Sequence, residues 1–208
     1  MTLATAHLAQ ADPVLGAFIA RIGPLKRSPP EHTDPYHALL SAVAHQQLHA
    51  RAATAILGRL KLLCGEALPA PEVLLGLTDE ALRGCGFSAA KMAAIRDVAA
   101  KAVAGVIPSR ARALRLPDAE LIERLTTIRG VGRWTVEMLL IFTLRRPDVF
   151  PVDDFGVREG YRLLHGLEAQ PKPKALAQIG EAFAPYRSTA ALYLWRAADA
   201  GKQSVPLK

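Results

Sequence analysis

Aspartate followed by proline and then an apolar stripe at helical spacing is the pattern that most restricts this chain. In Asp12-Pro13 the carboxylate can cap a helix and the proline suits its first turn, and Val14, Leu15, Phe18, Ile19 and Ile22 then fall on one face. Asp34-Pro35 repeats the device ahead of Leu39, Leu40 and Val43. Thr78-Asp79-Glu80 and Ser88 open two further helices, the second carrying Met92, Ile95 and Val98. Pro117-Asp118 leads into Leu121 and Leu125, and residues 134–144 are almost uniformly apolar, which suits a central buried helix. Helices are also predicted after Asp153-Asp154, over 171–184 and over 188–200. No stretch alternates with period two for long enough to argue for a sheet. The predicted fold class is all-α.

Proline and glycine punctuation at 22–35, 105–117 and 167–173 divides the helices into two predicted lobes. One spans 34–108; the other joins 1–33 to 109–208, and a ligand site is expected between them. At 208 residues the chain can bury a substantial core, and its formal net charge of +7 raises the local concentration of polyanions. Nucleic acid therefore leads the classes of partner, although many basic proteins have none. Two cysteines, Cys64 and Cys85, are too few for a disulfide framework, a four-thiolate cluster or a structural zinc site, and both are expected to be buried, inert thiols. With no signal peptide or membrane-spanning run in the sequence, the expectation is an intracellular, cytoplasmic, nucleoid-associated monomer without membrane contact.

Residues 125–135, Leu-Thr-Thr-Ile-Arg-Gly-Val-Gly-Arg-Trp-Thr, place Gly130 and Gly132 in a turn between two helices. Glycine tolerates positive φ and lets a partner approach the backbone closely. Amides at the start of the next helix would favour an anion, and a DNA phosphate fits, with Arg129 and Arg133 adding charge without reading sequence. Gly130, Val131 and Gly132 are thus candidate backbone contacts. A helix C-cap followed by a tight connection would explain the glycines equally well. Apolar anchors on both sides and an acidic pair one long helix later favour the binding reading.

That pair is Asp153-Asp154, within Phe-Pro-Val-Asp-Asp-Phe-Gly-Val-Arg at 150–158. A helix needs one capping acid. The second, Asp154, is expected in the first turn, where the helix dipole favours the ionised form. Hydrolysis of a nucleobase from deoxyribose passes through an oxocarbenium-like sugar, which a fixed negative charge stabilises. A carboxylate kept ionised is a poor general acid, so substrates with good leaving groups, such as N3- or N7-alkylated purines, are expected.

These segments together resemble the helix–hairpin–helix DNA glycosylase superfamily, within it the alkylpurine (3-methyladenine type II) branch, from about Tyr36 to Trp195. The strongest pieces are Ala44-His45-Gln46-Gln47-Leu48, the hairpin at 128–135, the run at 146–154 and Pro185-Tyr186-Arg187-Ser188. The resemblance implies that Asp154 is catalytic and that Asp153 supports it as a cap. It implies that Trp134, Phe155, Trp195 and Met138 line a pocket for a flipped base, with core packing the alternative for Trp195. It implies that Gln47 fills the gap left in the duplex, and that Ser88 and Lys91 touch phosphate. Trp134 falls where lyase-competent relatives carry a Schiff-base lysine, so hydrolysis without strand cleavage is implied. No cofactor is implied as required, but the carbonyls of Thr126, Ile128 and Val131 map to a site for a monovalent cation, Na⁺ or K⁺. The partner implied is double-stranded DNA with alkylated bases; a non-catalytic DNA-binding module is the alternative. His49, Met138 and Phe183 depart from the residues common in the family, and the N-terminal β lobe of larger members has no counterpart here.

Overall fold

The computed structural model of the protein describes residues 2–203, and among these no strand is found. In chain order the helices are α1 (Leu3–Ala11), α2 (Pro13–Ile22), α3 (Pro35–His45), α4 (Ala50–Leu63), α5 (Pro71–Gly76), α6 (Asp79–Cys85), α7 (Ala89–Val103), α8 (Arg110–Ala113), α9 (Asp118–Leu125) and α10 (Arg133–Met138). A π-helical turn (Leu139–Thr143) extends α10, followed by α11 (Phe155–His165), α12 (Pro173–Glu181) and α13 (Arg187–Gln203). No helix among the described residues is long and apolar enough to cross a membrane.

The predicted caps form. Asp12 Oδ1 accepts from the amides of Val14 and Leu15, both at 3.0 Å, and Asp34 Oδ1 from those of Tyr36 and His37 at 3.0 and 3.3 Å. Thr78 and Ser88 do the same for α6 and α7 through single hydroxyl oxygens. Each satisfies amides that have no intrahelical partner. Helix α1, which periodicity had not marked, starts with a reciprocal Thr2–Thr5 capping box.

The described residues divide into two compact units, drawn from Met1–Pro29 with Arg145–Lys208 and from Pro30–Leu144. The partition differs from the expected one, because 109–144 belongs with the central helices and not with the C-terminal half. Side chains account for this: Gln46 at the end of α3 and Asp97 on α7 both bond to the hairpin, and Arg110 bonds to the carbonyls of Thr33 and Thr143. Punctuation by proline and glycine marks where helices stop, not which helices share a core.

In the first unit, α11 packs on α13, with α2, α1 and α12 completing a core of Leu8, Leu15, Phe18, Val157, Leu176, Tyr193 and Leu194. Of the α2 stripe, Leu15, Phe18 and Ile19 are buried, whereas Val14 and Ile22 are partly exposed at its edges. The close approach of α11 and α13 depends on Gly160, where a Cβ would lie 1.9 Å from the carbonyl oxygen of Leu194. In the second unit, α7 runs against α3 and α5, and α3 also meets the π turn. Cys85 is buried, but Cys64 is only half-buried at the end of α4, and burial raises both thiols above their usual range.

Candidate active site

The turn at 151–154 decides which acid does what. The amide of Asp154 donates to the carbonyl of Pro151 at 3.0 Å, so Asp154 is the last residue before α11 and its side chain faces the free amides. Its Oδ1 accepts from the amide of Val157 at 2.8 Å, and the residue is 9% exposed. The expected division of labour is therefore corrected: Asp154 is itself the N-cap, and Asp153 stands exposed in the turn without that role.

The same oxygen of Asp154 accepts a second bond, from Trp195 Nε1 on α13, at 2.7 Å. Two donors on one oxygen fix the carboxylate's rotation. Trp195 packs against the core of this unit as well, so the two readings of that residue meet in a third: it orients the acid. Sequence reasoning missed Gly156, where a Cβ would lie 2.6 Å from Trp195 Cδ1 and 3.2 Å from Asp154 Oδ1. Only a residue without a side chain leaves room for the indole beside the carboxylate. Phe155, next to the acid, is 66% exposed, available to a partner and not used in the core. Trp195→Phe keeps the ring and removes the donor. A bond to a charged group contributes about 1.5–3 kcal/mol, so the base release that the resemblance implies should slow by about tenfold to a hundredfold in single-turnover assays while duplex affinity holds. An unchanged rate would remove the indole from the acid's support.

Two of the motif pieces noted in the sequence prove to be one brace. Arg187 grips Asp148 through Nε and a terminal nitrogen, both at 2.7 Å, which holds the Asp148 carboxyl below its usual range. Ser188 Oγ accepts from the amide of Val149 at 2.9 Å, and the amide of Ser188 donates to Pro147 at 3.0 Å. The start of α13 thus pins the loop that delivers Asp154.

The second unit carries two loops with DNA-binding candidates. In the hairpin the Val131 amide donates to Ile128 at 3.0 Å, closing a turn in which Gly130 has φ +78°, the conformation that favours glycine. The Arg129 amide donates to Asp97 Oδ2 at 2.7 Å, and Arg133 Nε to the buried Glu137 at 2.9 Å. Arg129, Gly130, Gly132 and Arg133 are exposed; Val131 is buried as an anchor. Neither Asp97 nor Glu137 was legible as part of this turn, since each acts across a fold contact or one helical turn.

In the other loop, Gln47 is exposed and has φ +56°, a left-handed conformation uncommon for a residue with a side chain. Its neighbour Gln46 donates from Nε2 to the carbonyl of Gly130 at 2.8 Å, joining this loop to the hairpin. Lys91 is corrected: its ammonium donates to the carbonyls of Val43, Ala44 and Gln46 at 2.9, 2.8 and 2.8 Å, so its three donors are spent inside the protein and phosphate contact is not its role. Ser88 is the exposed cap of α7.

On α10, Trp134 is 49% exposed and Met138 follows it one turn later on the same face. Met138, Leu139, Phe142, Leu39 and Ala42 line a mainly apolar pocket of about 320 Å³ within this unit, to which His32 and His45 add polar edges.

Comparisons with known proteins agree with this architecture. Residues 40–185 match the HhH-GPD superfamily base excision DNA repair protein family, and the chain belongs to that superfamily. Over its whole length it is similar to DNA-3-methyladenine glycosylase 1 of Schizosaccharomyces pombe, with 41% identity and 92% of that protein covered. It is 34% identical to the alkylbase DNA glycosidase-like protein mag2 of the same organism, over 91% of this chain and 90% of that one. The solved structure of S. pombe 3-methyladenine DNA glycosylase in complex with abasic DNA superposes with a TM-score of 0.82 at 43% identity, covering 94% of this chain and 96% of that one. A crystal structure of DNA-3-methyladenine glycosidase from Bacillus halodurans gives 0.89 at 36% identity, covering 98% and 92%.

Proposed function

We propose that the protein is a base excision repair glycosylase that hydrolyses the N-glycosidic bond of alkylated purines in double-stranded DNA, 3-methyladenine and 7-methylguanine among them. The observation that carries this reading is the fixed carboxylate of Asp154, its Oδ1 held by the Val157 amide and the Trp195 indole. As the bond from C1′ to the purine nitrogen breaks, the base leaves with the bonding pair, and positive charge grows on the sugar. An anion that cannot rotate away stabilises that charge without reorganisation. Water then bonds to C1′ and passes a proton to the surrounding solvent. An alkylated purine is already cationic, so it needs no general acid to leave.

Trp134 supplies no amine, which supports hydrolysis without a Schiff base and without strand cleavage. Trp134 and Met138 on α10, and Phe155 at the start of α11, would each offer a face to an extruded base, the exposed aromatic faces suiting a cationic ring. Arg129, Arg133 and the backbone at Gly130 and Gly132 would hold phosphate. The carbonyls of Thr126, Ile128 and Val131 would hold a monovalent cation; that of Ile128 accepts the Val131 amide and keeps a second lone pair. Such an ion would draw a phosphate to the turn.

The test is incubation with methylated duplex DNA, scoring free 3-methyladenine and 7-methylguanine by chromatography and strand nicks before and after alkali. Base release with nicks only after alkali is the expected result. Salt-sensitive duplex binding with no base released from methylated DNA would overturn the reading and leave a non-catalytic binding module.

A further inference from the structure

We propose that Lys91 is a positioning residue for base extrusion, fixing the loop after α3 from within the protein so that Gln47 is presented in one conformation. The inference rests on the reading of this protein as a glycosylase and of Gln47 as the side chain that enters the duplex.

Helix α3 ends at His45 with no glycine to turn the chain: Gln46 is extended at φ −55°, ψ 133°, and Gln47 is left-handed at φ +56°. A left-handed residue other than glycine is disfavoured and persists only where its surroundings dictate it. Packing does not dictate it here, since Gln47, Leu48 and His49 are all exposed. One backbone bond closes the turn, from the Leu48 amide to the His45 carbonyl at 3.3 Å, and polar anchoring from outside the turn adds to it. The Lys91 ammonium bonds to Val43, Ala44 and Gln46, two carbonyls of the last turn of α3 and the carbonyl immediately before Gln47. Helix ends leave such carbonyls without intrahelical partners, and the dipole favours a cation there. Gln46 Nε2 adds the second anchor through Gly130. Helix α7 also supplies Asp97 to the Arg129 amide, so one helix holds both loops, Lys91 near its start and Asp97 further along.

A lysine that contacts phosphate and a lysine that shapes a loop differ in what their loss does. Lys91→Met keeps most of the aliphatic stem and removes all three donors. Four measurements are made beside wild type: thermal melting, the salt dependence of duplex binding, the fluorescence rise of 2-aminopurine placed beside an abasic site on binding, and single-turnover excision from a paired duplex and from an unpaired bulge. Expected are about tenfold slower excision from the paired duplex, a smaller fluorescence rise, an unchanged salt slope and near-wild-type excision from the bulge, where less stacking must be broken. Lys91→Arg, which retains a cation and several donors, should recover part of the loss. In a double-mutant cycle Lys91→Met should cost little in a Gln47→Ala background.

A salt slope reduced by about one, with extrusion intact, would make Lys91 a phosphate contact and overturn the proposal. So would equal losses on paired and bulged substrates, or losses from Lys91→Met and Gln47→Ala that multiply. If Lys91→Met does not fold, the same cycle is run with Lys91→Arg, and multiplying losses there overturn the proposal too. If wild type releases no base, the glycosylase reading falls by itself; the 2-aminopurine signal needs no excision and still judges Lys91.

Discussion

Asp154→Asn should release at least a hundredfold less 3-methyladenine than wild type in single-turnover assays while folding and binding DNA normally, the scale set by losses of single charge-stabilising groups, about 10²–10³. The substitution isolates charge. Asparagine caps helices as well as aspartate does, and its carbonyl oxygen can take the place of Oδ1, accepting from the Val157 amide and the Trp195 indole. Helix α11 therefore keeps its start, and the side chain keeps its plane. What is lost is the negative charge that, in the proposed mechanism, faces a sugar turning positive. Melting temperature and affinity for an abasic duplex are the controls. Comparable release by wild type and variant would move the chemistry away from residue 154, and the exposed Asp153 would be examined next.

Gly160→Ala should be the most damaging single methyl group in the described part of the chain. Its Cβ would sit 1.9 Å from the Leu194 oxygen, 2.6 Å from the Leu194 carbonyl carbon and 3.0 Å from its Cα, and all three atoms are backbone. No rotamer change relieves that, so α13 must move off α11. Overpacking of this kind costs about 3 kcal/mol or more, which lowers the melting temperature by about 10 °C in a protein of this size. Trp195 follows Leu194, so the same displacement draws the indole away from Asp154. Single-turnover release by the folded fraction should fall further than the melting curve accounts for. A variant with native stability would show that the two helices have slack that the structure does not.

Much of this was legible because some residues do local work. Asp12, Asp34, Thr78 and Ser88 cap the helix directly after them, so residue type and order are enough to read them. The adjacent acids Asp153 and Asp154 marked a helix start for the same reason, but which one caps depended on a turn closing on Pro151, and identical residue types cannot show that. Lys91 looked like a surface cation near a helix start; its acceptors lie between 45 and 48 residues earlier, on α3 and the loop that follows it. Gly156 and Gly160 read as weak helix formers, and their value lies in what approaches them, Trp195 and Leu194 on another helix. The placement of 109–144 with the central helices likewise followed from long-range bonds by Gln46, Asp97 and Arg110 that leave no local pattern.

The unit that carries Asp154 is discontinuous: Leu8, Leu15 and Phe18 from the beginning of the chain share a core with Val157, Tyr193 and Leu194 from its end. The other unit is one uninterrupted stretch. On a ribosome the uninterrupted stretch emerges whole while α1 and α2 still wait for the partners that will cover them. The stretch that carries the hairpin is therefore complete before α13 has been made, and the bond between Trp195 and Asp154 is the later of the two features to form.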